Sequence, residues 1–466
     1  MQVPENTLRQ PRYLLAPALT WLEPKGATPG QGVVVADGHF TDVGPLAEVQ
    51  ARHPDLVPQA LPDRLLMPGF IDTHHHLTQS FGKSLAFGEP SEIFRRIWVP
   101  LEQHLQPHDL YLSAKLAALE ALRGGFTTVC DAGTRSQHGL EAIAQAAEEA
   151  GLRCVLARTC NDGGNDGGSD EATRRDLLRD AETHLAQWQH HPLVHGSLAI
   201  SVPEAATDAM LGRVAALCHE AGVVMQVHAN EHLASVERSL VDRGLRPIGH
   251  LDRAGALGPQ TLIAHATLVT PDELLRLRDT GTAVAYNPVA SAWKGNAVAP
   301  ALMMRALGIP LGLGTDGTRS DAFRLLDAAE TAQRLVHGLA VGDSSCGAGW
   351  TWLQAATSGG AGACGLGQRT GRIATGLAAD FLLLDLDVPE LAPSWDLGWE
   401  LVRLAHRGQI EAVVVAGRLR LWQGWPTDWN ARALMREVRA VAAQAVADAP
   451  IQRVHPVSAE HRLGSP

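Results

Sequence analysis

Between Leu65 and Gly338 the sequence alternates repeatedly between a short apolar, β-rich run and a longer segment with helical spacing, with Gly, Pro, Asp or Thr at the joints. The strand candidates are LLMPGFID (65–72), FTTVC (126–130), RCVLAR (153–158), HGSLAIS (195–201), VVMQVH (223–228), TLIAH (261–265), TAVAY (282–286) and PLGLGT (310–315), eight in all. The intervening stretches carry helix signals. TPDELLRLRDTG offers Thr270 as N-cap, Pro271 at the first helical position and Glu273 three residues on. Eight strands joined by helical crossovers are the number that closes a barrel of parallel strands. An open doubly wound sheet would place a Gly-rich phosphate turn after an early strand, and no G-x-G-x-x-G follows the first three candidates. The expected fold is α/β, a (β/α)₈ TIM-type barrel.

Two flanks fall outside that alternation. YLLAPALTWL and GVVVADGHFTDVG near the start, and DFLLLDLD, IEAVVVAG and RLRLWQG between 380 and 424, read as strands of another sheet. Neither flank makes a core alone, so both ends are expected to combine into one small β-sandwich. The expected division is 1–64 and 376–425 for the sandwich, 65–375 for the barrel, and 426–466 for a helix and a polar tail.

A formal net charge of -11 leaves no basic excess to neutralise phosphates, which excludes nucleic acid and anionic membranes as partners. Only Lys25, Lys83, Lys115 and Lys294 are lysines. The six cysteines form no C-x-x-C pair and several lie in apolar runs, the pattern of buried thiols in a reducing compartment. With no signal-peptide pattern and no apolar run of spanning length, a cytoplasmic location is expected, as is a homo-oligomer.

The chemistry gathers at strand ends. THHHLTQS ends the first strand and puts His74 and His76 on one side, with His75 on the other. VHANEHL ends the fifth with His228, followed by Glu231; IAHAT ends the sixth with His265; LGTDGTRSD ends the eighth with Asp316. The C-terminal ends of barrel strands are where such folds keep their active sites. Four polar strand ends on one face make a set that separate structural roles do not explain.

His-x-His on strand one, His on strands five and six and Asp on strand eight resemble the amidohydrolase superfamily. PGFIDTHHHLTQS, VHANE, IAHAT and GLGTDG are similar, in order, to motifs of its cytosine deaminase, guanine deaminase and triazine hydrolase branch. GRIATGLAADFLLLD looks like that family's return to its sandwich. The resemblance implies that His74, His76, His228 and Asp316 hold one divalent metal, Zn²⁺ or else Fe²⁺. Relatives with two metals bridge them through a strand-four lysine, which HGSLAIS lacks. Glu231, His265 and Asp316 are then the catalytic residues: Glu231 shuttles protons, while His265 and Asp316 orient and deprotonate the water. A helix N-terminal acid is the competing role for Glu231.

Gln79 matches a glutamine that binds the substrate ring in guanine deaminase-like relatives, or else is a polar loop residue. Trp98 is a stacking wall or a core aromatic. Arg158 meets the substrate, or pairs with Glu204 or another nearby acid. Relatives carry C-P-x-S-N after strand seven, where this chain reads YNPVASAW (Tyr286, Asn287, Pro288, Ala290, Ser291). The implied activity is metal-dependent hydrolytic deamination of a small nitrogen heterocycle of purine, pterin, pyrimidine or triazine type. The alternatives are dechlorination or N-dealkylation of a triazine-like ring, and cyclic amide hydrolysis. A non-catalytic scaffold of the same fold would not need the ligand set, which is complete here.

Overall fold

The computed structural model describes residues 4–89, 93–163, 170–317, 319–343 and 345–454. Eight parallel strands form one sheet in sequence order: β1 (Phe70–His75), β2 (Phe126–Asp131), β3 (Arg153–Thr159), β4 (Val194–Ile200), β5 (Met225–Ala229), β6 (Thr261–His265), β7 (Ala283–Tyr286) and β8 (Leu311–Leu313). The seam between β8 and β1 is closed by polar bonds. Asp316 N–H donates to the His74 carbonyl at 2.9 Å. The Thr315 N–H donates to Asp72 Oδ1 at 2.9 Å and its hydroxyl to Oδ2 at 2.5 Å. Helices between the strands turn apolar faces inward. Pro271–Thr280 starts with the expected reciprocal cap between Thr270 and Glu273 and ends on left-handed Gly281.

The barrel interior is small and apolar below the mouth. Ile71, Cys130, Val155, Val224, Leu262, Ala283 and Ala285 meet residues of helix Ser358–Ala363 and the turn after it. All six cysteines are buried free thiols.

The chain's two ends build a nine-stranded mixed sheet, Arg12–Leu22 to Pro58–Pro68 from one end and Phe381–Asp385 to Trp425–Pro426 from the other. Pro58–Pro68 pairs parallel with Arg12–Leu22 and antiparallel with Phe381–Asp385. The sheet curls over itself: the rings of Phe40 and Phe381, on strands not adjacent in the order, lie 5.9 Å apart. Tyr13, Val33, Val35, Leu66, Leu383 and Val414 fill the space between.

The run 65–72, read from sequence as one strand, is two. Its first half belongs to the end sheet and its second half to the barrel. Gly69 makes the passage, because a Cβ there would lie 2.1 Å from Thr127 Oγ1. The C-terminal segment forms the helix Ala431–Asp448, capped by Asn430, which packs on Leu101, Leu105 and Leu110. The polar end of the tail lies outside the described residues.

A buried ion pair ties the barrel floor to the end sheet. Arg153, at the start of β3, grips Asp380 with Nε–Oδ2 2.8 Å and Nη2–Oδ1 3.1 Å, both residues being at most 2% exposed. Thr370 and the Ala416 N–H complete the carboxylate's shell. Burial works to raise the Asp380 pKa, but Arg153 and these donors hold it below the ordinary range. Arg153→Met would strand that carboxylate, so urea unfolding should show a loss of about 3–5 kcal/mol. Arg153→Met/Asp380→Leu should recover much of the loss, and an unchanged midpoint in the single variant would make the pair dispensable.

Candidate metal centre and active site

His74 and His76 leave the end of β1 into the barrel mouth, joined there by His228 from β5, His265 from β6 and Asp316 after β8. Ring centroids lie 4.7 Å apart for His74–His228, 5.0 Å for His74–His76 and 5.1 Å for His74–His265. The potential ligand atoms lie within 4.8 Å of one another in three overlapping sets: His74, His228, His265; His74, His76, Asp316; and Glu231, His265, Asp316. His75 turns away to Asp72 and Thr315.

The donor set fits a divalent cation. His228 Nδ1 lies 2.7 Å from the Ser201 carbonyl, which accepts its proton and leaves Nε2 as a lone pair. That Nε2 faces His76 Nε2 at 3.3 Å, an arrangement that calls for a positive charge between them. His74 Nε2 and His265 Nε2 are buried with no hydrogen-bond partner. Asp316 Oδ1 lies 3.3 Å from His74 Nε2 and 3.5 Å from His76 Nε2. Orphaned imidazole nitrogens around a buried carboxylate are costly unless something cationic satisfies them.

The backbone is bent to achieve this. His265 has φ +77°, Asp316 φ +60° and Asn230, beside Glu231, φ +54°. Left-handed backbone at non-glycine residues costs on the order of 1–3 kcal/mol each and concentrates at functional sites. Asn230 is locked in place: its amide donates to the Leu268 carbonyl and Glu273, and its own carbonyl accepts from Thr267 and Leu268 N–H groups.

Glu231 therefore points into the site. Its carboxylate meets Lys294 Nζ at 2.8 Å, His232 Nε2 at 3.1 Å and His265 Nε2 at 3.5 Å. The helix that follows, Leu233–Arg243, has His232 as its N-cap, with no side-chain bond there. Burial alone would raise the Glu231 and Asp316 pKa values, yet the side chains around them, the Lys294 ammonium between the two among them, hold both well below the ordinary carboxylate range. Burial pushes His265 down to about 3.

Gln79 and Trp98 both line the cavity over this cluster, which measures about 510 Å³. That is within the rough 300–1,000 Å³ of small-molecule sites. Gln79 Nε2 donates to the fully buried Glu102 at 3.2 Å. Trp98 is 5% exposed, packed on Ile93 and Ile97. Arg158 is a correction: it does not line the cavity but pairs with Asp180 of helix Glu171–Trp188 at 2.9 Å. Strand parity is the reason. Val155 faces the barrel interior, so Leu156 and Arg158 face the helices.

Lys294 was missed in the sequence. From helix Pro288–Lys294 it reaches Glu231 and, at 2.5 Å, Asp316 Oδ2. Two signals pointed to it: lysine is scarce in this chain, and Lys294 directly follows YNPVASAW, the segment that departs from the relatives' C-P-x-S-N pattern. Within that segment Tyr286 turns to Gln333 and the Ala329 carbonyl, while Asn287 contacts His265 Nδ1 at 3.2 Å. Arg135 and Asn161, also on the cavity wall, sit in loops with no sequence signature.

Comparison with known proteins agrees with this geometry. The model of the Amidohydrolase family matches residues 65–420. A 5-methylthioadenosine/S-adenosylhomocysteine deaminase of Nitratidesulfovibrio vulgaris (strain DSM 19637 / Miyazaki F) is 31% identical over 88% of this chain and 91% of its own. The protein of the same description from Haloarcula marismortui is 30% identical over 77% and 81%. A zinc-bound adenosine deaminase from Xanthomonas campestris superposes with TM-score 0.84 at 26% identity, covering 93% of this chain and 98% of that one. An atrazine chlorohydrolase from Arthrobacter aurescens TC1, complexed with zinc, shares the fold at TM-score 0.78 and 20% identity, over 92% and 100%. No helix among the described residues is long and apolar enough to cross a membrane.

The low pKa of His265 has a testable sign. The unfolded chain takes up a proton near pH 6.5, whereas the folded chain takes it only near 3, so stability is lost as pH falls through that window. In metal-stripped protein each such histidine contributes a slope of roughly 1.4 kcal/mol per pH unit. His265→Gln should therefore flatten the fall in Tm between about pH 6.5 and 4.5, and an unaltered slope would contradict a neutral buried imidazole.

Proposed function

The chain belongs to the amidohydrolase family, and from that premise we propose that it is a metal-dependent hydrolytic deaminase of a small nitrogen heterocycle. It is a hydrolase of carbon–nitrogen bonds, as its deaminase relatives indicate. The observation that carries the deaminase reading is the meeting of Glu231, His265 and Asp316 at the edge of the histidine cluster, with Glu231 and Asp316 opening on a cavity of small-molecule size.

His74, His76, His228 and Asp316 would hold one divalent ion. Three imidazoles and a carboxylate suit Zn²⁺, with Fe²⁺ sharing the donor preference. Absence of a lysine on β4 supports a single ion. Bound there, such an ion lowers the pKa of water toward neutrality. Asp316 and His265, the latter neutral, would orient the water and hold its lone pair toward the ring. Glu231, ionised at rest, would carry one of the water's protons to the ring nitrogen, and the second, taken up by Asp316 or His265, would leave with the amine as ammonia. Gln79 gives one Nε2 proton to Glu102, which leaves its Oε1 to accept from a ring N–H and its second N–H to donate to the ring. Trp98 supplies an apolar wall.

The substrate we propose is a planar ring whose exocyclic amine sits beside a ring nitrogen, aminopurines being the first to screen for ammonia release. Self-association belongs to the same reading: Leu335, Val336, Leu339 and Val341 form an exposed apolar strip that a second copy would cover. A cytoplasmic setting suits six unpaired thiols.

Two variants test this. His228→Ala should lose bound metal and turnover while far-UV circular dichroism stays that of the wild type, since a barrel does not fold around a catalytic ion. Glu231→Gln should keep about one metal per chain yet lose about two to four orders of magnitude in rate. Wild-type ammonia release from Glu231→Gln would remove Glu231 from the proton path.

A further inference from the structure

Lys294 is the last residue of helix Pro288–Lys294, and left-handed Gly295 (φ +69°) turns the chain away behind it. Its side chain is only 11% exposed, with Nζ 2.8 Å from Glu231 Oε1 and 2.5 Å from Asp316 Oδ2. Asp316 is divided between two tasks, Oδ1 toward His74 and His76 and Oδ2 toward the lysine. The two carboxylates engage two of the three ammonium N–H donors. Among the described residues no hydrogen-bond partner takes the third, and Lys294 lines the cavity.

Besides helping to hold Glu231 and Asp316 ionised, the charge of Lys294 alters what the site accepts. Three neutral imidazoles, two carboxylates and one divalent ion sum to zero, and Lys294 adds one positive charge. Whatever ring docks against Glu231 and Asp316 comes within reach of the remaining N–H. A desolvated ammonium is satisfied best by an oxygen that carries negative charge or accepts strongly.

We infer that Lys294 is a specificity-determining residue that selects rings bearing an oxygen acceptor, a lactam carbonyl or its enolate, in addition to the amine. The inference rests on the deaminase reading above. It separates this site from one built for a purine whose only exocyclic group is the amine.

The test uses ring pairs that differ by one oxygen, guanine against 2-aminopurine and isoguanine against adenine, on the zinc-loaded protein. Ammonia release gives kcat/KM, and calorimetry gives Kd without any turnover. Wild type should favour the oxygen-bearing member of the pair it binds better by about ten- to a hundredfold, the worth of a hydrogen bond to a charged group. Lys294→Met should bring that ratio close to one, and Lys294→Arg should keep part of it. Metal content measured alongside separates loss of the lysine from loss of the ion. A ratio that survives in Lys294→Met, a wild-type preference for the oxygen-free ring, or no binding by either oxygen-bearing ring overturns the inference. Should Lys294→Met fail to fold, Lys294→Gln and the wild-type ratio decide it. If no ring releases ammonia, the deaminase reading fails while the Kd ratios still judge Lys294.

Discussion

The candidate site depends on how the barrel closes. Asp72 is fully buried, and its two oxygens hold Thr315 by backbone and hydroxyl, His75 by its ring and His74 by its N–H. Next to these bonds, the Asp316 N–H caps the His74 carbonyl. One carboxylate thus fixes the first strand against the last and sets the distance between the histidines of β1 and the aspartate after β8. Glycine makes the approach feasible: a Cβ on Gly314 would lie 2.9 Å from that of His74. A seam made of apolar side chains would close the barrel without fixing that register, because such contacts carry no direction.

The site's charges are arranged in opposition. His76, His228 and His265 are buried and kept neutral, so their lone pairs are available, while the carboxylates are kept ionised with Lys294 beside both. Each group depends on others for its protonation state, and the cost of assembling them appears in the left-handed backbone at His265, Asp316 and Asn230. Lys294, at the end of the helix that follows β7, joins the two carboxylates.

Much of the architecture was legible in the sequence because each barrel strand is an apolar run with a polar end, and periodicity detects that contrast. Seven of the eight barrel strands lie where those runs predicted, the first begins only at Phe70, and the flanks meet in one sheet as their patterning implied. Where a run served two sheets, as at 65–72, hydrophobicity was blind to the break, since both halves are buried and only Gly69 marks the junction. Arg158 shows a limit of another kind. Its place at a strand end was right, but facing follows parity, and one residue decides between the mouth and the helices. The parts played by Glu102, Asn230 and Lys294 rest on contacts distant in sequence, which neither a motif nor a residue count reveals.

The end sheet couples the molecule to the direction of its synthesis. Leu66 and Met67, made early, find their antiparallel partners in Leu383 and Leu382, which leave the ribosome only after the last barrel strand. Asp380, the anchor for Arg153 on the barrel floor, arrives in the same late stretch. Until then the early strand shows an open edge, the kind that pairs with any extended chain it meets. The nascent protein must therefore pass most of its translation with its first sheet unfinished, and stalled or truncated chains would carry that adhesive edge into the cell.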